Sequence, residues 1–172
     1  LLERELRGTY RVKAAPPPAN LDVLAAWLLL SGSRLPFESR GDEQPPAVIS
    51  HTAAARVLGI GTFPVDRPTF IVPRPHHDPD SGTYRTFTLA LQPGEWRWAR
   101  LNDPIRIAIT TAERTLVDLA WAEADPEHVR EALDRHRGEL DHDRLRAAFE
   151  RRLRQGGRNT PTWMRRDFGM TA

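Results

Sequence analysis

The side chains able to do chemistry are few and scattered. His76, His77, Asp78 and Asp80 crowd the stretch RPHHDPDSG (74–82), where nitrogen and carboxylate donors so close together suggest a divalent metal. Adjacent histidines in a strand-like loop point in opposite directions and no third histidine is near, so the stretch reads as a loop and not a metal centre. Glu113 and Asp118 are a candidate acid pair. Five residues on a helix turn them about 140° apart, too far to converge on one substrate. Gly59-Ile60-Gly61 lacks the third glycine of a dinucleotide fingerprint. Lys13 is the only lysine, which excludes a phosphate loop ending in G-K-[ST] and nuclease chemistry that places a lysine after two acids. With no cysteine, thiolate catalysis, disulfides and the usual structural zinc sites are excluded as well. No catalytic residue, metal or cofactor is expected.

The elements that would position such residues begin with the clearest one, Ile105 to Trp121. Ile105, Ile107 and Ile109 alternate with Arg106 and Ala108, the period of a half-buried strand. Thr110 and Glu113 then stand in capping-box spacing, and Ala112, Leu116, Leu119 and Ala120 share one helical face. Upstream, Leu1 to Arg7 reads as the end of a helix and residues 8–13 as a short strand. Together they suggest the end of a winged helix or an arm packed on the domain. The prolines of 14–19 suit a linker. Asn20 is a candidate cap for a helix whose stripe is Leu21, Leu24, Ala25, Leu28 and Leu29, stopped by Gly32.

Pro46 to Ser50 is a short apolar run leading into a helix capped by Ser50 and closed by Gly59. His51 near its start reads as a structural histidine. Strands are expected over 68–73, 83–91, 95–99 and 105–109. Asp125-Pro126-Glu127 opens one helix and Asp141 caps another, with Leu145, Ala148, Phe149 and Leu153 inside and Arg144, Arg151, Arg152 and Arg154 outside. The sum is an α+β fold: an antiparallel or mixed sheet of about four strands packed with several helices, and a helical C-terminal third.

The net charge of +2 is unevenly spread. From Arg144 on there are eight Arg and two acidic residues, a net +6, which leaves −4 on the rest. A basic tail on an acidic body suits an anionic partner surface, or is a solvated Arg-rich helix face. No signal peptide is legible and no apolar run approaches the roughly 20 residues of a membrane helix, so the chain reads as cytoplasmic with no membrane partner.

Set in order, four pieces resemble the AbiEi antitoxin family of type IV-like toxin–antitoxin systems. They are Gly8-Thr9-Tyr10-Arg11, Ile49-Ser50-His51-x-Ala53-Ala54 with its Leu58-Gly59 end, Phe70-Ile71-Val72-Pro73, and Thr110-Thr111-x-Glu113-Arg114-Thr115-Leu116-x-Asp118. The resemblance runs from Gly8 to about Phe149, and the last motif is its most specific part. It implies a winged-helix domain that binds the operon's promoter and a C-terminal domain that counteracts a nucleotidyltransferase-fold toxin. Residues 1–13 would be the end of the first, 14–20 a linker and 21–172 the second. Most of the DNA-binding module is missing from this pattern.

Two functions follow. One is neutralisation of the cognate toxin by direct protein binding, with Trp163, Met164, Arg165, Arg166 and Phe168 of the tail and Arg151 and Arg152 beside it as contacts. The alternative for that tail is packing back on its own domain. The other function is autorepression through Arg7, Arg11 and Lys13 on promoter phosphates. Family antitoxins also act without a stable complex. Thr110, Glu113, Arg114, Thr115 and Asp118 fit structural roles and are not carried over as contacts.

Overall fold

The computed structural model describes residues 2–6, 8–14, 16–17, 19–32, 44–76, 82–102, 105–122, 125–155, 160 and 162–169. Its centre is a five-stranded mixed sheet in the order β5-β4-β3-β7-β6, formed by β3 (Val48–Ile49), β4 (Thr69–Val72), β5 (Arg85–Thr88), β6 (Trp96–Asn102) and β7 (Ile105–Thr110). The β4–β5 and β3–β7 pairs are parallel, and the β3–β4 and β6–β7 pairs antiparallel. The fold is α+β. The fifth strand is the short run Val48–Ile49, which sits centrally although only two residues long.

A second, two-stranded sheet holds β1 (Leu2–Leu6) and β2 (Thr9–Val12). The helix expected over Leu1 to Arg7 is therefore corrected: the described residues form a strand. Leu, Glu and Arg favour helix intrinsically, but propensity yields to tertiary pairing. Gly8, at φ +86°, turns the chain back so that Glu3 and Glu5 flank Arg11 on one side of the ribbon.

One face of the large sheet, with Ile49, Phe70, Val72, Ile107 and Ile109, packs against α1 (Leu21–Ser31) and α2 (His51–Leu58). The inward face of α1 is Val23, Leu24, Ala26, Trp27 and Leu30, rotated from the expected stripe, in which Leu28 and Leu29 are only half-buried. A helix apolar nearly all round carries no clear period, and the Trp27 indole fixes its setting by donating to Ala47 O at 3.0 Å. Asn20 takes the cap position in left-handed backbone, but its side chain makes no capping bond.

The opposite face carries Val48, Ile71, Ala108 and Trp96. Since β5 and β6 are the two edges, residues 89–95 must span roughly 19 Å of sheet at the usual strand spacing. The strap bears Leu89 and Leu91 inward, and Gln44 pins it by donating to Leu89 O and accepting from Leu91 N.

A helical layer completes the chain: α3 (Ala112–Trp121), α4 (Pro126–His136), α5 (His142–Arg154) and the single-turn α6 (Thr162–Asp167). The side chain of Asp125 accepts from Glu127 N, and that of Asp141 from Asp143 N and Arg144 N, so both caps form as the sequence indicates. α3 is the hub, packed against α2, α4 and α5. Its Leu116 and Leu119 are fully buried, each contributing about 1.5–3 kcal/mol of transfer free energy. Gly61, at φ +61°, lies under α4, where a Cβ would come within 3.2 Å of Ala132 and 2.8 Å of the Phe63 ring. The second glycine of Gly59-Ile60-Gly61 thus serves close packing. Among the described residues no helix is long and apolar enough to cross a membrane.

Candidate functional site

The strand-to-helix junction caps differently from the expected box. Thr111, not Thr110, is the N-cap, its hydroxyl accepting from Arg114 N at 3.4 Å. Thr110 ends β7, and its hydroxyl is spent inside the protein: it lies 3.3 Å from Ile49 O and donates to Thr115 Oγ1 at 2.7 Å. Thr115 is the acceptor there because its own hydroxyl donates to Thr111 O at 2.8 Å. Glu113 does not reach back to the cap but accepts from Asp141 N at 3.1 Å, tying α3 to the start of α5. With two threonines in succession, spacing alone could not select the cap.

Below this junction lies a buried ion network. Arg114 is fully buried and donates from Nη1 to Glu95 Oε1 at 2.8 Å and from Nε to Asp118 Oδ2 at 3.0 Å. Arg151 Nε donates to the same Glu95 oxygen at 3.0 Å, while Gln92 N donates to Glu95 Oε2 at 2.8 Å. Arg152 Nε stands 3.7 Å from Asp118 Oδ1, an ionic contact too long for a hydrogen bond. Burial disfavours the charge on Arg114, but Asp118 and Glu95 outweigh it and hold its pKa above the ordinary value. For Arg152 burial wins, with repulsion from Arg114 helping it and attraction to Asp118 opposing, and the pKa falls.

His51 sits beside this network. Its ring stacks on Phe87 with centroids 4.3 Å apart, and its Nδ1 is 2.8 Å from Ser50 Oγ. Ser50 is thus at the N-cap position of α2 with its hydroxyl turned to the histidine, not to the helix amides. Burial lowers the His51 pKa to about 4; Asp118 opposes that shift, and Arg152, Arg114 and Arg85 add to it. The residue is neutral near pH 7, and its backbone is left-handed at φ +51°, unusual for a side chain with a Cβ.

The residues proposed for partner contact divide sharply. Met164 and Phe168 face inward, Phe168 packing on Phe149 at 5.6 Å between ring centroids. Of the two readings of the tail, these residues take packing back onto the domain. Trp163 is half-buried, with the Arg130 guanidinium 4.9 Å above its ring. Arg165 and Arg166 are exposed, and Arg166 donates to Asp167 at 2.8 Å. Arg130, Asp134, Arg137 and Arg166 border a groove of about 320 Å³ between α4 and α6. The outward placing of Arg151 and Arg152 is corrected, because buried Glu95 and Asp118 draw their guanidinium groups toward the core.

On the ribbon, Arg11 is held by Glu5 and Glu3, which neutralise it and raise its pKa, the Glu5 hydrogen bond contributing most. Lys13 is exposed just beyond β2, and Arg7 lies outside the described residues. His76 is exposed, while His77, Asp78 and Asp80 lie outside the described residues.

The network was only half legible. Arg114 and Asp118 stand four apart on one helix, a spacing that brings side chains together. Glu95 carries no such local mark, since its partners lie 19 and 56 positions away. No family model, curated protein or solved structure matches the chain.

Proposed function

We propose that this chain is an AbiEi-type antitoxin whose α+β body neutralises a nucleotidyltransferase-fold toxin by direct protein binding. The observation that carries the reading is the use made of the Thr110-Thr111-x-Glu113-Arg114-Thr115-Leu116-x-Asp118 motif on which the resemblance rests. Its three threonine hydroxyls, the Glu113 carboxylate and the Arg114–Asp118 pair all bond within the protein, and Leu116 is core. Such a motif is a requirement of the fold and leaves recognition to the surface. A buried pair joined at both ends fixes how α3, α5 and the strap sit together, which suits a rigid body that offers a preformed face to a partner.

The autorepressor reading draws on the β1–β2 ribbon, a two-stranded antiparallel sheet. Its Arg11 is already neutralised by two carboxylates, so antitoxin action is the better supported. The deciding experiment is co-expression with the neighbouring toxin gene. Growth rescue together with co-purification of the two chains is expected; loss of both removes the reading. Rescue without co-purification would leave an antitoxin acting without a stable complex.

A further inference from the structure

Four buried polar atoms in and beside the ion network have no hydrogen-bond partner among the described residues: Arg114 Nη2, Asp118 Oδ1, Arg152 Nε and His51 Nε2. Buried polar groups are paired as a rule, so four unpaired ones on neighbouring elements call for a common cause. Arg114 Nε and Nη2 form one edge of the planar guanidinium, and Nε already donates to Asp118 Oδ2 at 3.0 Å. Nη2 therefore lies on the carboxylate side as well, unbonded. Arg152 Nε approaches the other oxygen, Asp118 Oδ1, and stops at 3.7 Å, about 0.5 Å beyond a hydrogen bond. His51 joins them from the start of α2, which packs against α3, and Asp118, Arg152 and Arg114 all act on its charge. These side chains are not free to close up on one another. The His51 ring is held between Phe87 and Ser50, and Arg114 is held at its far nitrogen by Glu95.

We propose that this node binds a buried water, which donates to Asp118 Oδ1 and accepts from Arg152 Nε, with Arg114 Nη2 and His51 Nε2 completing its shell. The chemistry of the four atoms selects the ligand. Guanidinium nitrogens only donate and a carboxylate oxygen only accepts, so the occupant must do both. A metal cation has nothing to offer the guanidinium donors, and an anion is repelled by Asp118. Arg114 and Asp118 are fully buried and His51 nearly so, which restricts the occupant to the smallest molecule of that kind. A water bridging a polar gap too long for a direct bond is nearly as good as the bond itself. It would join α2 to α3 and α5, linking His51 of one motif to Arg114 and Asp118 of another. The site is internal to the fold, so it goes beyond the antitoxin reading and does not depend on it.

A crystal structure of the chain at a resolution that shows ordered water tests the site directly. A density peak within about 2.6–3.2 Å of Asp118 Oδ1, Arg152 Nε and at least one of Arg114 Nη2 and His51 Nε2 is expected. No such peak, or Arg152 Nε bonded straight to Asp118 Oδ1, overturns the proposal. A peak that scatters anomalously after a bromide soak makes the occupant an anion and overturns it as well. In solution, magnetic relaxation dispersion of the water oxygen counts long-lived internal waters. Arg152→Met removes a donor of the node and should show a smaller count than wild type. An equal count in a folded Arg152→Met variant goes against the bridge and overturns it. Should that variant fail to fold, the wild-type density decides alone.

Discussion

Replacing Arg114 by methionine isolates the worth of the buried network. Methionine keeps much of the volume and removes the charge that Glu95 and Asp118 share. Glu95 retains Arg151 at 3.0 Å and the Gln92 amide, so it remains paired. Asp118 retains only Arg152 at 3.7 Å, with no side chain bonded to it at hydrogen-bond distance among the described residues. An uncompensated carboxylate in a fully buried position is the costly outcome, and breaking such a pair by removing one partner typically costs about 3–5 kcal/mol. In a domain of this size each kcal/mol lowers the melting temperature by about 2–4 °C, so Arg114→Met should melt roughly 6–20 °C below wild type.

Urea titration at pH 7 measures the loss directly, and an unchanged slope would show that the same surface is exposed on unfolding. A second variant separates the penalty of the orphaned acid from the worth of the pair. Adding Asp118→Leu to Arg114→Met removes the stranded charge and should recover more than half of the lost stability. A single variant melting within 2 °C of wild type would refute the reasoning, because a buried acid cannot lose its main partner without cost. A double variant no better than the single would place the cost in lost packing instead.

Two further predictions follow from the same geometry. His51 stays neutral in the folded chain down to about pH 4, whereas its unfolded value is 6.5. Its contribution is therefore fully present above pH 6.5 and is lost as pH falls through about 4. That separation corresponds to about 3 kcal/mol, and His51→Asn, which tolerates the left-handed backbone, should flatten stability across this window in chemical denaturation. Phe168→Ala should destabilise by about 3–5 kcal/mol as a core truncation, whereas Arg165→Ala should leave the melting temperature within 1 °C or so. Equal effects from the two would mean that α6 does not pack as described.

Which features the sequence disclosed depends on how local their causes are. The helix caps at Asp125 and Asp141, the isoleucine alternation of β7 and the left-handed Gly59 after α2 were all legible, because a few neighbouring residues decide them. The second strand of the ribbon was legible after Gly8, but β1 reads as a helix end because Leu-Glu-Arg-Glu-Leu has good helix formers throughout, and only pairing with residues 9–12 reveals its period of two. The two-residue β3 carries too little pattern to be read as a strand; its central place comes from β4 and β7 on either side. Half of the ion network was visible as an i, i+4 pair. The other half arrives from the strap and α5, by contacts that no local spacing encodes.

Charge counted along the chain proved a poor guide to charge presented at the surface. The eight arginines from Arg144 onward give the tail its formal excess. Arg151 and Arg152 turn toward Glu95 and Asp118, Arg144 meets Asp141, and Arg166 meets Asp167. Among the described residues, Arg146, Arg154 and Arg165 are the ones from this group left in water with no carboxylate partner. The acids that meet Arg144, Arg151 and Arg152 belong to the supposedly acidic body, so the two halves cancel across their own packing interface. A partner approaching from solvent therefore encounters a weaker field than the formal asymmetry implies, and recognition falls to local groups. Solvated arginines on a helix contribute little until an acid of matching geometry meets them.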